Sequence, residues 1–199
     1  MNDFWNERYA TKEYAYGTEP NQFYKEQLKN LIPGKILFPA EGEGRNAVYA
    51  AKMGWEVFAF DPSFEGKRKA EKLASENGVI IDYQIAGYEN VHFEPHFFDC
   101  IVLIFAHTHP LKRTEVHQKL TSYLKPGGIL ILEGFSKNQI SYNSGGPRDV
   151  DMLFSKEELQ SDFASFSELS ITETNYVLDE GEFHQGNASV IRVFVLSKF

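Results

Sequence analysis

The chain has a single cysteine, Cys100, among 199 residues. One thiol excludes an intrachain disulfide, and its place inside the apolar run FFDCIVLIFA predicts a buried, unreactive side chain rather than a nucleophile. Long apolar runs are also missing. No stretch approaches the ~18 uninterrupted apolar residues of a bilayer-spanning helix, so no membrane association is expected. The opening MNDFWNERYATKEYAYGTEP lacks the basic start and apolar core of an export signal, which makes the cytoplasm the expected location. Positive charge is scarce: 20 Lys and Arg against 28 Asp and Glu leave a net charge of −8. That field repels a phosphate backbone, so nucleic acid is not an expected partner. The short basic run Lys67-Arg68-Lys69 reads as the solvated face of a helix.

What the chain does have is burying power, with 42% hydrophobic residues, 17 Phe and 10 Tyr. This suits one domain over residues 1–199, because single cores usually run to ~100–200 residues. A monomer or homodimer is expected. There is no repeat, low-complexity tract or linker. Short apolar runs alternate with helix-like segments to about residue 135, the signature of parallel strands joined by crossover helices. The expected strands are KILFP (35–39), EVFAF (56–60), VIIDYQI (79–85), DCIVLIFA (99–106) and GILILEGF (128–135). Their near-continuous apolarity predicts burial on both faces. Between them, RNAVYAAKMG places Ala47, Val48, Ala51 and Met53 near one helical face, with Gly54 as a stop. FEGKRKAEKLASENG turns Leu73 and Ala74 inward, and a third helix is expected from about Leu111 to Leu124, before a turn at Pro126-Gly127-Gly128. Ser155 and Glu158 form a capping box that starts another helix. ELSITETNYVL and FHQGNASVIRVFVLSKF, separated by DEGE, read as an antiparallel hairpin.

In an open α/β sheet, ligands bind beyond the carboxyl ends of the strands. The first such turn reads Ala40-Glu41-Gly42-Glu43-Gly44, and the second strand ends on Asp61, placed to accept both hydroxyls of a ribose. Three ligand types share this geometry. A dinucleotide would set its pyrophosphate beside Glu41 and Glu43, against like charge. A nucleoside triphosphate would need the missing G-K-[ST] ending. S-adenosylmethionine carries a sulfonium and an ammonium but no phosphate, so nearby carboxylates help it. A turn that merely joins strand to helix is the remaining alternative.

The motifs E-G-E-G-R-N-A, the acid after the second strand, L-K-P-G-G-I-L-I-L-E and G-G-P-R-D resemble those of the class I S-adenosylmethionine-dependent methyltransferases, within them the TehB-like, tellurite-resistance-related group. The thiopurine S-methyltransferases are more distant relatives. The resemblance runs from FWNERYATKEYAYGTEPNQF to FHQGNASVIRVF. It implies a Rossmann-like αβα sandwich with a seven-stranded, mostly parallel sheet, order 3-2-1-4-5-7-6, and a C-terminal antiparallel hairpin. It further implies S-adenosylmethionine as cofactor, S-adenosylhomocysteine as product, and a soft sulfur, selenium or tellurium acceptor. Ala40, Glu41, Gly42 and Gly44 would surround the methionine part, Asp61 and Pro62 the ribose, and Ala86, Gly87 and Tyr88 the adenine. Phe105 and Ala106 would lie beneath the methionine part. Phe38, Ala40 and Gly87 depart from the pattern, standing where family members often carry an acid, a glycine and an acid.

Methyl transfer from a sulfonium is an in-line displacement, and a general base is needed only where the acceptor carries a proton. His107, in AHTHP after the fourth strand, is a candidate to orient or deprotonate a substrate, with loop hydrogen bonding as the alternative role. His109 is a weaker candidate, and the H-x-H spacing lacks a third metal ligand, so no metal is expected. Arg148 in GGPRD either recognises an anionic acceptor or pairs with Asp149 or Asp151. His184 opens the last strand and is the third catalytic candidate. Trp5 and Tyr9 are expected to pack a terminal helix, while Tyr16 is the candidate for a lid over the sulfonium formed by residues 1–30. The other readings are an O- or N-methyltransferase of a small anionic metabolite, a non-catalytic cofactor-binding protein and, in the background, a dehydrogenase.

Overall fold

Seven strands form one sheet in the order β3-β2-β1-β4-β5-β7-β6. In chain order they are β1 (Lys35–Pro39), β2 (Glu56–Asp61), β3 (Asp82–Ile85), β4 (Phe98–Ile104), β5 (Leu124–Phe135), β6 (Glu168–Asp179) and β7 (Gln185–Leu196). The computed structural model describes residues 2–166 and 168–197; Lys198 and Phe199, the end of the last expected run, lie outside them. The β1–β2, β2–β3 and β4–β5 pairs are parallel, and β5–β7 and β6–β7 antiparallel. This is the sheet the motifs imply. By contact the chain divides into two compact units, Met1–His92 with Glu180–Phe183, and Phe93–Asp179 with His184–Phe199.

In the first unit, helices α1 (Asn2–Tyr9), α2 (Gln22–Leu28), α3 (Arg45–Lys52) and α4 (Phe64–Glu76) accompany β1 to β3. Trp5 and Tyr9, one turn apart on α1, stack at 5.5 Å, and Tyr9 is buried. Its ring fills the space over Gly42, where an added Cβ would sit 2.6 Å from the phenol oxygen. At Gly44 a Cβ would sit 2.6 Å from that of Ala70. Both glycines have positive φ, so the loop needs them for backbone shape and for packing by its own chain. Tyr24 of α2 is wholly buried, edge-on to Phe38, and donates its hydroxyl proton to the Asn46 carbonyl.

Several expectations are corrected here. The buried face of α3 is Ala47, Val48 and Ala50, whereas Met53 lies beyond the helix and is exposed. The buried face of α4 does include Leu73 and Ala74. The basic run on α4 is not wholly solvated: Arg68 is exposed and pairs with Glu65, but Lys69 is buried and pairs with Glu43. β3 begins only at Asp82, because Val79 caps the end of α4 through Ala74.

In the second unit, α5 (Pro110–Ser122) and α6 (Lys156–Asp162) accompany β4 to β7. The expected turn at Pro126-Gly127-Gly128 lies inside β5, which pairs with β4 at Leu124 and again from Ile129, so the turn is a bulge between two paired stretches. The α6 capping box forms as read, Ser155 and Glu158 exchanging side-chain and backbone hydrogen bonds. Asp162 accepts bonds from His117, Arg113 and Thr114 of α5. Burial pulls its carboxyl up, but those three donors outweigh it and hold it at about 2. Among the described residues no helix is long and apolar enough to cross a membrane.

Candidate active site

β1 ends at Pro39, and Ala40 then takes a φ of 52°, the left-handed conformation that glycine adopts without penalty. The alanine that departs from the motif therefore keeps the glycine's backbone shape, at a cost of about 1 kcal/mol. Gly44 is the N-cap of α3 and has no side chain to offer the helix. Glu41 does that work, its Oε1 accepting from the amides of Asn46 at 2.9 Å and Ala47 at 2.7 Å. Asp61, ending β2, accepts from Ser63 N at 2.8 Å and Gly42 N at 3.2 Å. Gly42 also accepts a 2.6 Å bond from the Tyr83 hydroxyl, so both of its backbone groups are fixed. Tyr83 was not among the expected site residues; as the buried member of a strand it gave no signal beyond its apolar periodicity.

The two carboxylates of the turn part company. Glu43 accepts from the Ala15 amide at 2.8 Å and from Lys69 at 2.5 Å, and so holds the N-terminal segment rather than flanking a ligand. Glu41 and Asp61 remain as the acids of the loop. Burial pushes Glu41 up to about 7, against the opposing pull of the Ala47 amide and Arg45. Burial likewise raises Asp61 to about 6, against the Ser63 and Gly42 amides. Gly87, at the position where the resemblance implies an acid, has the Glu89 carboxylate folded over it, both oxygens 3.0 Å from the position of an added Cβ. Ala86 is bonded through its amide to the Asp61 carbonyl, and Tyr88 sets its ring edge-on to Phe60. Pro62 is half-buried between Asp61 and Ser63, and Tyr16 is half-buried, its hydroxyl accepting from Arg8 at 3.3 Å.

This donor set fits a cationic nucleoside better than a pyrophosphate. The cations flanking the loop, Lys69 and Arg45, are both paired, with Glu43 at 2.5 Å and Glu180 at 2.7 Å. Asp61 and Glu41 are the acceptors a cationic nucleoside would meet, since no cation pairs with either among the described residues.

In the second unit Phe105 also takes a left-handed φ of 52°, with its amide bonded to the Glu133 carbonyl. Its ring packs on Phe135 at 4.5 Å, and buried His184 stands edge-on to both. Ala106 is buried beside it. His107 is held by backbone at both nitrogens: Nδ1 donates to the Met152 carbonyl at 2.9 Å, and Nε2 accepts from the Phe135 amide at 3.0 Å. Burial lowers it to about 4, so it stays neutral. That is the loop-bonded alternative, and in this arrangement neither nitrogen is open to a substrate proton. His109 is the N-cap of α5. Arg148 is exposed and donates to the Tyr142 carbonyl and to Asn143 Oδ1, rather than to Asp149 or Asp151. Among the described residues no three His, Cys, Asp or Glu side chains are grouped to hold a metal.

Sheet order, acid loop and C-terminal hairpin together define the Rossmann-like methyltransferase fold. Residues 39–132, just under half of the chain, match the family described as "Methyltransferase domain". Among curated proteins the chain is similar to a ubiquinone biosynthesis O-methyltransferase of Xanthomonas euvesicatoria pv. vesicatoria, 27% identical over 113 residues. The match covers 56% of this chain and 47% of that protein, about half its length. One similar solved structure is described as "Conversion of a Disulfide Bond into a Thioacetal Group during Echinomycin Biosynthesis"; it is 16% identical with a TM-score of 0.79, over 100% of this chain and 92% of that one. TehB from Haemophilus influenzae is 15% identical with a TM-score of 0.71, over 99% of this chain and 67% of that one. At these identities the likeness is one of fold.

A pH dependence follows from the raised acids. Above about pH 4 the folded chain holds protons that an unfolded chain has released, on Asp61 up to about pH 6 and on Glu41 up to about pH 7. Their contribution to stability is therefore present at low pH and lost as pH rises through about 6 and 7. A cationic ligand has the opposite preference, since it binds the ionised forms. The shift in Tm produced by S-adenosylmethionine is expected to shrink as pH falls from about 8 to about 5.5. Over the same range Glu41→Gln without ligand should lose its stability advantage over the parent. A ligand shift that stays flat across the range contradicts this assignment.

Proposed function

We propose that this chain is a cytoplasmic S-adenosylmethionine-dependent methyltransferase acting on a small molecule, with a soft sulfur, selenium or tellurium nucleophile as acceptor. The observation that carries the cofactor is the acid loop, in which Glu41 and Asp61 lie beside Gly42 while the flanking cations are already paired. Bound there, the cofactor supplies an electrophilic methyl group. The chain's own part is placement: Asp61 and Pro62 at the ribose, Ala40, Glu41, Gly42 and Gly44 at the methionine part, Ala86 and Tyr88 at the adenine. Glu89, over Gly87, stands in for the acid expected beside the adenine. Residues 1–30, through Tyr16, exclude water from the sulfonium.

The state of His107 supports the soft acceptor. A thiolate or reduced metalloid attacks without losing a proton, so a neutral histidine held by backbone on both sides is no handicap. Within the second unit, Phe105, Phe135 and His184 form an aromatic, polarisable cluster. One observation favours an oxygen acceptor instead, the likeness to a protein named as an O-methyltransferase; that chemistry would require a base, for which His184 is the candidate.

The test is calorimetry with S-adenosylmethionine, S-adenosylhomocysteine and NAD, followed by radiolabelled methyl transfer to a thiol, to selenite and tellurite reduced by excess thiol, and to catechol. Adenosyl binding with turnover of a soft acceptor is expected. Turnover of catechol alone would establish the oxygen reading, and binding without turnover of any acceptor a non-catalytic protein. Binding of NAD alone would overturn the cofactor assignment.

A further inference from the structure

We propose that Arg8, with the Tyr16 hydroxyl, recognises the carboxylate at the amino-acid end of the cofactor, an inference that rests on the cofactor assignment above. That end is zwitterionic. The loop acids suit its ammonium and the adjacent sulfonium, but its carboxylate needs a cation or a row of donors.

The basic side chains around the loop are nearly all committed. Lys69 pairs with Glu43, Arg45 with Glu180 and Arg68 with Glu65. Lys67 donates to the Tyr83 carbonyl and faces Glu71. Arg8 differs from all of them: among the described residues no carboxylate pairs with it. Its guanidinium lies 3.8 Å from the centre of the Phe183 ring and 5.1 Å from that of Phe4, and it donates a hydrogen bond to the Tyr16 hydroxyl at 3.3 Å. Stacking fixes a guanidinium by its faces and leaves the N–H groups along its edge, the fork that meets a carboxylate in two parallel bonds.

The surroundings keep this cation close to the loop. Tyr9, the next residue on α1, packs on Gly42, and its phenol lies within electrostatic reach of Asp61, Tyr16, Glu43 and Glu41. Tyr16 lies in the field of Glu43 and Arg45 as well as Arg8. Phe183 is held in place because its amide donates to the Ala15 carbonyl, while Gly181 and Gly17 approach so closely that a Cβ on Gly181 would lie 2.5 Å from the Gly17 nitrogen. Glu180, in the same turn, is bonded to Asn21 and Arg45. The turn at 180–183 therefore serves as the shelf on which Arg8 rests.

The experiment compares two ligands that share the adenosyl thioether and differ in the amino acid: S-adenosylhomocysteine, and 5′-methylthioadenosine, which lacks it. Calorimetry on Arg8→Ala should show S-adenosylhomocysteine weakened about tenfold or more, with methylthioadenosine changed by less than about twofold. Arg8→Lys, which keeps the charge but not the fork, should fall between and guards against a misfolded alanine variant. Equal weakening of both ligands would make Arg8 a purely structural strap and overturn the proposal, as would unchanged S-adenosylhomocysteine affinity. If the parent chain binds neither ligand, the cofactor assignment falls along with it. If the parent binds both and the variants do not discriminate, only the role of Arg8 falls.

Discussion

Replacing Asp61 by alanine is expected to weaken S-adenosylmethionine and S-adenosylhomocysteine binding about 100-fold while leaving the melting temperature nearly unchanged. The two halves of that expectation have separate causes. A carboxylate accepting from two ribose hydroxyls makes charge-assisted hydrogen bonds worth about 1.5–3 kcal/mol each, and about 2.7 kcal/mol is a factor of 100 in affinity. Stability responds differently, because in the free chain burial already raises the Asp61 carboxyl to about 6. Removing a buried group that resists ionisation relieves a cost at neutral pH, and this offsets the loss of an acceptor for the Gly42 and Ser63 amides. Calorimetry and thermal melting on one preparation measure both. A large fall in Tm with proportionate loss of all ligands would make Asp61 a loop-holding residue alone, and unchanged affinity would remove it from the ribose.

The sequence made parts of this molecule legible because local and global forces agree there. β1, β2 and β4 are covered on both faces, so their apolar runs are continuous; β1 has the expected bounds, and those of β2 and β4 differ by a residue or two. The α6 start was readable because a capping box is closed by residues three apart. What escaped was set by distant partners. Lys69 sits in a run that looks solvated, and only Glu43, 26 residues earlier, makes its burial tolerable. His107 stands after a strand end, where a base would be, but its chemistry is decided by Met152 and Phe135. Ala40 looked like a weakness in the glycine turn, yet it adopts the glycine's own φ. In each case the residue type was visible and its partner was not, because hydrogen-bond closure over tens of residues leaves no periodicity. The acid at the end of β2 was legible for the opposite reason: strand topology alone decides where the end of a second parallel strand lies.

Breaking the Glu43–Lys69 pair from one side should destabilise the chain by about 3 kcal/mol, on the order of 10 °C in Tm at this size. Both side chains are nearly inaccessible, 3% and 4% exposed. Lys69→Met leaves Glu43 with the Ala15 and Tyr16 amides but no cation, and burial, which already raises its carboxyl, will drive it to take up a proton. Glu43→Gln leaves the ammonium with neutral partners alone, an amide oxygen, the Glu13 carbonyl and the face of Tyr14 at 4.8 Å, and no counter-charge. It should therefore be the more damaging change. The double variant Glu43→Gln/Lys69→Met removes both charges and should recover most of the lost stability, since a buried ion pair and a neutral pair of similar volume differ far less than either does from a lone buried charge. A double-mutant cycle in thermal melts measures this directly, and additive single effects would show that the two side chains do not depend on each other. Ligand binding by the recovered double variant then has a clear meaning. Glu43 reaches the N-terminal segment through the same carboxylate that meets Lys69, so retained affinity would place the acid at position 43 wholly in the service of the fold and leave Glu41 as the acid of the turn that meets the cofactor.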